Sequence, residues 1–236
     1  MLTPSAKPMA ALVSGGLDSS VMLGQIAQRC PVYPIYVRMG LTWENIEREY
    51  LERFLDAIKS PTLYPLVVLE QPVRDLYGKH WSTGGAAPNA AAPDEEVYLP
   101  GRNVLLLSKA LIWCRLHDVP TIALAVLSAN PFPDATTEFF RSYAGVVNQA
   151  VGGHVEVVTP FASMSKADVI RRGADLPVQH TLSCMSPKHD RHCGECNKCA
   201  ERGRAFRAAG VPDPTDYISR AWQNAAQRPA NSRPWE

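Results

Sequence analysis

Two groups of residues in this 236-residue chain have the types and spacing to do chemistry. The first is Ser14-Gly15-Gly16-Leu17-Asp18-Ser19-Ser20, directly after the apolar run Met9–Val13. Paired glycines between a strand and a helix permit positive φ and let backbone N–H groups converge on an anion. The following helix adds the partial positive charge of its N-terminus. Ser14 and Ser19 supply hydroxyl donors, and Asp18 could hold a magnesium ion against phosphates. The plain alternative is a strand-to-helix turn with Asp18 or Ser19 as helix cap. The segment is neither a Walker loop nor G-x-G-x-x-G.

The second group is Cys184-x8-Cys193-x2-Cys196-x2-Cys199. Four thiolates close a tetrahedron around Zn²⁺ and leave no position for substrate, so the site they predict is structural. An iron–sulfur cluster also takes four cysteines, but the Cys-Pro that ends a ferredoxin run is absent. Two disulfides are disfavoured in a reducing compartment. His189 and His192 could replace a sulfur, although four sulfurs suffice. Lys188, Arg191, Lys198 and Arg202 are placed to offset thiolate charge, and Cys30 and Cys114 read as core thiols.

The elements that must position these groups follow from hydrophobic periodicity. A buried strand at Met9–Val13 leads to a helix over about Ser19–Gln28, and Val32–Arg38 is a second strand. Ile46, Tyr50, Leu51, Phe54, Leu55 and Ile58 form one face of an amphipathic helix, with Glu44–Arg48 and Glu49–Arg53 as i,i+4 pairs. Leu63–Leu69 is near-continuously apolar and reads as a strand covered on both faces. Residues 71–102, rich in Pro, Gly and Ala, form a long connection expected to be a lid, a binding segment or a disordered insertion. A helix at Asn103–His117 and a strand at Thr121–Leu127 follow. A helix over Thr137–Ala150 is expected to bury Phe139, Phe140, Tyr143, Val146, Val147 and Ala150. Val155–Val158 and Lys166–Arg172 complete the series, and the tail after about Ala221 is expected to fray. Alternating strands and helices give an α/β fold, a parallel sheet with helices on both faces.

A net charge of +1 offers no strong signal for nucleic acid, and no apolar run reaches the ~20 residues of a spanning helix. The start MLTPSAKPMA lacks the apolar core of a secretory signal, so the expected location is cytoplasmic. Twenty prolines exceed the usual ~5% and stiffen the connections.

SGGLDSS resembles the phosphate loop of N-type ATP pyrophosphatases. Together with TLSC-x8-CGECNKCAERGRAF it resembles the 7-cyano-7-deazaguanine synthase family. Pro100–Asn103 (PGRN), Phe132–Asp134 (FPD) and Thr159–Ile170 (TPFASMSKADVI) occur in the family's order, so the likeness covers nearly the whole chain. It implies a five-stranded adenine nucleotide α-hydrolase-like sheet over residues 1–175. A small tetracysteine zinc subdomain, with a C-terminal helix and tail, would occupy residues 176–236. The implied reaction uses ATP, Mg²⁺ and ammonia to convert a small heterocyclic carboxylate, 7-carboxy-7-deazaguanine, into a nitrile through adenylates. Nucleotide contacts are then expected from Val13, Ser14, Gly15, Gly16, Leu17, Asp18, Ser19 and Ser20. Asp18, Ser19, Arg102 and Lys166 are expected to act on the phosphates. Asp134 would touch substrate or cap the next helix, and His80-Trp81 would stack on a purine-like ring or pack internally.

Two segments depart from the family pattern. Arg38-Met39-Gly40-Leu41-Thr42 stands where Tyr-Gly-Gln-Arg-His is usual, and Pro133-Asp134-Ala135-Thr136 where Pro-Asp-Cys-Arg is usual. The chain reads as a divergent member with its ATP chemistry retained and its acceptor open. The other readings are an adenylating ligase for a different carboxylate or a macromolecule, and an ATP-binding regulatory module without turnover. A homo-oligomer is compatible with all of them.

Overall fold

The computed structural model describes residues 7–224. Five parallel strands form one sheet: β1 (Met9–Leu12), β2 (Val32–Arg38), β3 (Val67–Glu70), β4 (Thr121–Ala123) and β5 (Glu156–Val158). Their order is β3-β2-β1-β4-β5. Register runs from Met9 opposite Val32, Ala10 opposite Ile122, Ile35 opposite Val67 and Thr121 opposite Glu156. The chain builds outward from β1 on one side, then crosses to the other. The carboxyl ends of β1 and β4 therefore flank the crevice where such sheets bind ligands.

Among the described residues seven α-helices connect and cover the strands: α1 (Leu17–Ala27), α2 (Glu44–Ala57), α3 (Arg74–Tyr77), α4 (Arg102–Leu116), α5 (Thr137–Val151), α6 (Lys166–Arg172) and α7 (Asn197–Ala209). Period-two alternation in β1 divides the core. Ala10 and Leu12 meet Leu107 and Leu111 of α4 and Phe140 of α5. Ala11 and Val13 meet Val21 and Leu23 of α1, Val169 of α6 and Phe206 of α7. Cys114 is a fully buried core thiol as expected, while Cys30 is half-buried.

Four expectations change on folding. β3 lies at the sheet edge and starts later than expected, with Val68 41% exposed, so its apolar run is covered on one face only. α5 buries only Phe140 and Ala144, and Val146 is 65% exposed, because one narrow stripe of the helix reaches the core. Arg53 pairs with Glu49, but Arg48 pairs with Glu52, and Glu44 turns inward to Arg38. Ala221–Asn224 form a 3₁₀ turn with Trp222 buried against Gly203, where any Cβ would clash with the ring. The rest of the expected frayed tail lies outside the described residues.

Residues 71–102 are a strap rather than a disordered insertion. Tyr77 donates to the Pro100 carbonyl at 2.8 Å, and Thr42 N–H to the Ser82 carbonyl at 2.9 Å. At the far end, Asn197 of α7 donates from its backbone to the Pro88 carbonyl and from its side chain to the Ala92 carbonyl. The strap is thus stitched to the cysteine segment on one side and runs into α4 on the other. Among the described residues no helix is long and apolar enough to cross a membrane.

Candidate active site and metal centre

The Ser14–Ser20 loop leaves β1 at the carboxyl edge of the sheet and enters α1. Gly15 has φ +71°, and a Cβ there would sit 2.7 Å from the Glu47 carbonyl oxygen, so both conformation and space require glycine. Gly16, not Asp18 or Ser19, occupies the N-cap position. Ser19 Oγ instead accepts from Ser14 N–H at 3.2 Å and donates to the Gly16 carbonyl at 3.2 Å, closing the loop on itself. Gly16 N–H donates to Ser14 Oγ at 3.3 Å. The side chains of Val13 and Leu17 are core groups, leaving only their backbone to face a ligand. Ser20 Oγ is buried with no partner among the described residues.

Two adjoining cavities of about 190 and 370 Å³ open above this loop. The inner one is walled by the ends of β1, β2 and β4, with Val37, Met39 and Leu124 among its apolar lining. The outer one is walled by the strap, the cysteine segment, and the beginnings of α6 and α7. Ser14, Glu47, Arg102, Ala125 and Asn130 line both and so form the neck between them.

The expected phosphate-site residues converge here. Lys166, the first residue of α6, is no exposed helix-start lysine: its side chain is 16% exposed, with Nζ 3.1 Å from Asp18 Oδ2 and 2.8 Å from Glu201 Oε1. Burial works against the Lys166 charge, but Asp18 and Glu201 outweigh it and hold the ammonium above the ordinary amine range. Burial also opposes the Glu201 charge, yet Lys166 and Lys198 keep that carboxyl below its ordinary range. Asp18 Oδ1 is buried and unpartnered among the described residues, as is Arg102 Nε. Arg102 makes no ion pair among those residues, so it is a charge held at the neck rather than a surface pair.

Asp134 does not line either cavity. Its carboxylate accepts from Asn103 N–H at 3.0 Å and its carbonyl from Asn103 Nδ2 at 2.9 Å, which ties down the first turn of α4 rather than the next helix. Thr136 caps α5, accepting from Phe139 N–H at 3.1 Å, and Ala135 is buried. Trp81 lines the outer cavity and stacks on Trp43 at 5.5 Å between centroids and 9° between planes. Phe132, also in the lining, stacks on Tyr98 at 4.8 Å between centroids. His80 is not in the wall; its Nδ1 lies 3.0 Å from Ser82 Oγ.

Sequence reasoning missed Glu47, Tyr36 and Glu201. The Tyr36 hydroxyl donates to Glu47 Oε2 at 2.8 Å. Burial pushes the Glu47 carboxyl up to about 7, with Glu44 adding to the rise while Arg102 and Tyr36 oppose it. A signal was available: Glu47 falls on the same helical face as Tyr50, Leu51 and Phe54, and a carboxylate in an apolar stripe asks for a reason.

The cysteines form a second centre. Cys184, Cys193, Cys196 and Cys199 are buried, and their Sγ atoms all lie within 4.8 Å of one another. Cys184 to Cys193 is 3.5 Å, Cys193 to Cys199 3.9 Å and Cys184 to Cys196 4.0 Å. A tetrahedron with ~2.3 Å metal–sulfur bonds has edges near 3.8 Å, so the set fits one ion and is too open for disulfides. Backbone N–H groups of Ser186, Cys193, Gly194 and Glu195 point at the sulfurs at 3.3–3.4 Å, as suits thiolates. The cluster can therefore hold a metal ion. His192 is buried beside it, but its Nε2 accepts from Ser183 N–H at 3.1 Å. Of the cations expected to offset thiolate charge, Lys188, Arg191 and Lys198 pair with Glu195, Asp216 and Glu201. Arg202 is buried on Thr181, Ser183, Thr215 and the Val178 carbonyl.

Comparisons with known proteins show the family of this chain. A family model described as "Queuosine biosynthesis protein QueC" matches residues 9–210. The 7-cyano-7-deazaguanine synthase of Methanothrix thermoacetophila is 34% identical over 225 residues, covering 87% of this chain and 96% of its own. That of Myxococcus xanthus is 31% identical over 231 residues, covering 91% and 99%. A solved structure from Methanocaldococcus jannaschii, described as a predicted subunit of tRNA methyltransferase, aligns over 91% of this chain and 93% of its own. Its identity is 15% and its TM-score 0.45, too distant to bear on function. On the extent of the family match and the identity to these relatives, the chain belongs to the QueC family.

Proposed function

We propose that this chain is an ATP-dependent C–N ligase that converts a heterocyclic carboxylate and ammonia into a nitrile, with 7-carboxy-7-deazaguanine as the acceptor. The observation that carries the reading is the shared neck. Ser14 and Arg102 border both cavities while Gly16, Asp18 and Lys166 line the outer one, so phosphates held over the loop lie where an acceptor in the cleft can meet them. A carboxylate repels nucleophiles and has no adequate leaving group. Transfer of AMP to it makes a mixed anhydride, ammonia displaces AMP to give the amide, and a second adenylation of the amide oxygen permits loss of AMP to the nitrile.

In this reading Ser14, Gly15, Gly16 and Ser19 hold the pyrophosphate through N–H and hydroxyl donors, with Val13, Leu17 and Ser20 shaping the loop. Lys166 and Arg102 stabilise charge on the departing pyrophosphate, acting mainly through fixed position and low local dielectric. Asp18, with one carboxylate oxygen unpartnered among the described residues, is the group to hold Mg²⁺, which neutralises phosphate charge when bound. The Trp43–Trp81 and Tyr98–Phe132 pairs suit a flat heterocycle in the outer cavity. We assign Zn²⁺ to the four cysteines as a closed structural site, and residues 176–236 to the subdomain it organises, with residues 1–175 as the nucleotide-binding domain. Four clustered free thiols suit a reducing cytoplasm.

A second reading keeps the adenylation and changes the carboxylate. It is favoured by Ala135 and Thr136, which give the acceptor end no counterpart of the family's Cys and Arg. Incubation with ATP, Mg²⁺, ammonium and 7-carboxy-7-deazaguanine separates the two. The first predicts pyrophosphate release and a product in which one nitrogen replaces two oxygens and a hydrogen of the acid. Release with another carboxylate but not with this one would select the second. Metal analysis should return about one zinc per chain.

A further inference from the structure

The proposed reaction sets a requirement that the phosphate groups do not meet. Ammonia brings three N–H protons, and a nitrile nitrogen keeps none. One proton leaves when the nitrogen lone pair forms the C–N bond and AMP departs with the C–O pair. The other two leave when the adenylated amide expels its second AMP, each N–H electron pair becoming part of the C≡N bond. A base must therefore stand beside the nitrogen, where acceptor and phosphates meet.

Most carboxylates lining the cleft are already committed. Asp18 and Glu201 share Lys166, and Glu201 also holds Lys198 at 2.7 Å. Asp94 lies 3.7 Å from Lys198. Glu44 accepts from Arg38 at 3.1 Å and from the N–H groups of Gly40 and Leu41. Glu47 differs from all of these. Among the described residues it makes no ion pair, and it is 8% exposed with the Tyr36 hydroxyl on one oxygen. It is also the carboxylate that borders both cavities. The charged and titratable groups facing it are Tyr36 from β2, Arg102 from α4 and Glu44 from its own helix.

We propose that Glu47 is the general base that takes the protons from the ammonia-derived nitrogen at the neck of the cleft. This rests on the nitrile-forming reading above. Its position beside Gly15 places it next to the phosphate loop, where the acyl adenylate would lie. The Tyr36 hydroxyl and the Trp43 side chain fix the orientation of the carboxylate. Burial supplies the basicity, since a carboxyl raised to about 7 accepts protons near neutrality far better than an exposed glutamate.

The test separates adenylation from amination in one variant. Glu47→Gln keeps shape and removes the base. With 7-carboxy-7-deazaguanine and no ammonium, exchange of labelled pyrophosphate into ATP reports only formation and reversal of the adenylate, and it should stay within about threefold of the unmodified protein. With ammonium, amide and nitrile formation should fall by ~10²-fold or more, the usual worth of a positioned base. Glu47→Asp should recover about tenfold of that loss. Equal loss of exchange and amination in both variants, or nitrile formation by Glu47→Gln at the unmodified rate, would overturn the assignment. Absence of exchange in the unmodified protein would instead remove the nitrile-forming reading, and this base with it.

Discussion

Around Ser14, the groups available to a ligand are backbone amides and hydroxyls whose positions are fixed by the loop's own hydrogen bonds and by a glycine that tolerates no Cβ. Above this loop, the rest of the outer cavity is assembled from pieces far apart in sequence: Trp43, Trp81 of the strap, Phe132, Met185 of the cysteine segment, and Lys198 of α7. The first region is local and backbone-built, so one short motif suffices to encode it. The second depends on side chains brought together by tertiary structure and on the clamp between strap and cysteine segment. The segments that depart from the family's pattern lie outside that outer wall, Met39 and Leu41 in the lining of the inner cavity and residues 133–136 in neither. The departures are also structurally absorbed here, Thr136 as a helix cap and Glu44 as the clasp of the Arg38–Leu41 turn.

The contrast can be broken from either side. Removing the metal should have the largest effect, because four-thiolate sites contribute on the order of 10 kcal/mol to folding. Chelation under denaturant, or Cys199→Ala, should abolish cooperative melting of the segment and acceptor binding together, as followed by calorimetry and equilibrium binding. Lys166→Ala should follow, lowering pyrophosphate release by ~10²–10³-fold through lost charge stabilisation, whichever carboxylate is offered. Steady-state pyrophosphate assays with saturating ATP check this.

Third comes the pH dependence of stability at the neck. The Glu47 carboxyl is raised in the folded protein from 4.5 to about 7, so the native state binds the proton more tightly than the unfolded chain. Stability must then fall as pH rises from about 4.5 to about 7 and remain reduced above it, by on the order of 3 kcal/mol. Glu47→Gln should therefore melt higher than the unmodified protein at pH 8, with the gap shrinking by pH 5, in paired thermal scans. The smallest effect is expected at the outer wall. Trp81→Ala should raise the acceptor KM roughly tenfold, as expected for loss of a stacking surface worth ~1–3 kcal/mol, with the ATP KM within about twofold. An equal rise in both would mean that Trp81 serves the nucleotide as much as the acceptor.

Much of this molecule was legible before folding, for physical reasons. Strands β1 and β2 and helix α6 fall almost where periodicity places them, and both motifs lie within stretches of under twenty residues. What escaped depends on distant contacts. Nothing local marks β3 as an edge strand or Val146 of α5 as solvated. Nor does sequence spacing say that Lys166 meets Glu201, or that the strap binds Asn197 instead of moving freely. Glu47 lies between these cases, since its place on an apolar face could be read but its partner Tyr36 could not.

Counting pyrophosphate against product, with ammonium labelled at nitrogen and 7-carboxy-7-deazaguanine as sole acceptor, decides whether this chain makes a nitrile through two adenylations. Two pyrophosphates should be released per nitrile formed, with the label in the nitrile. One pyrophosphate per product with the label retained in an amide, or pyrophosphate released without any labelled product, would contradict it.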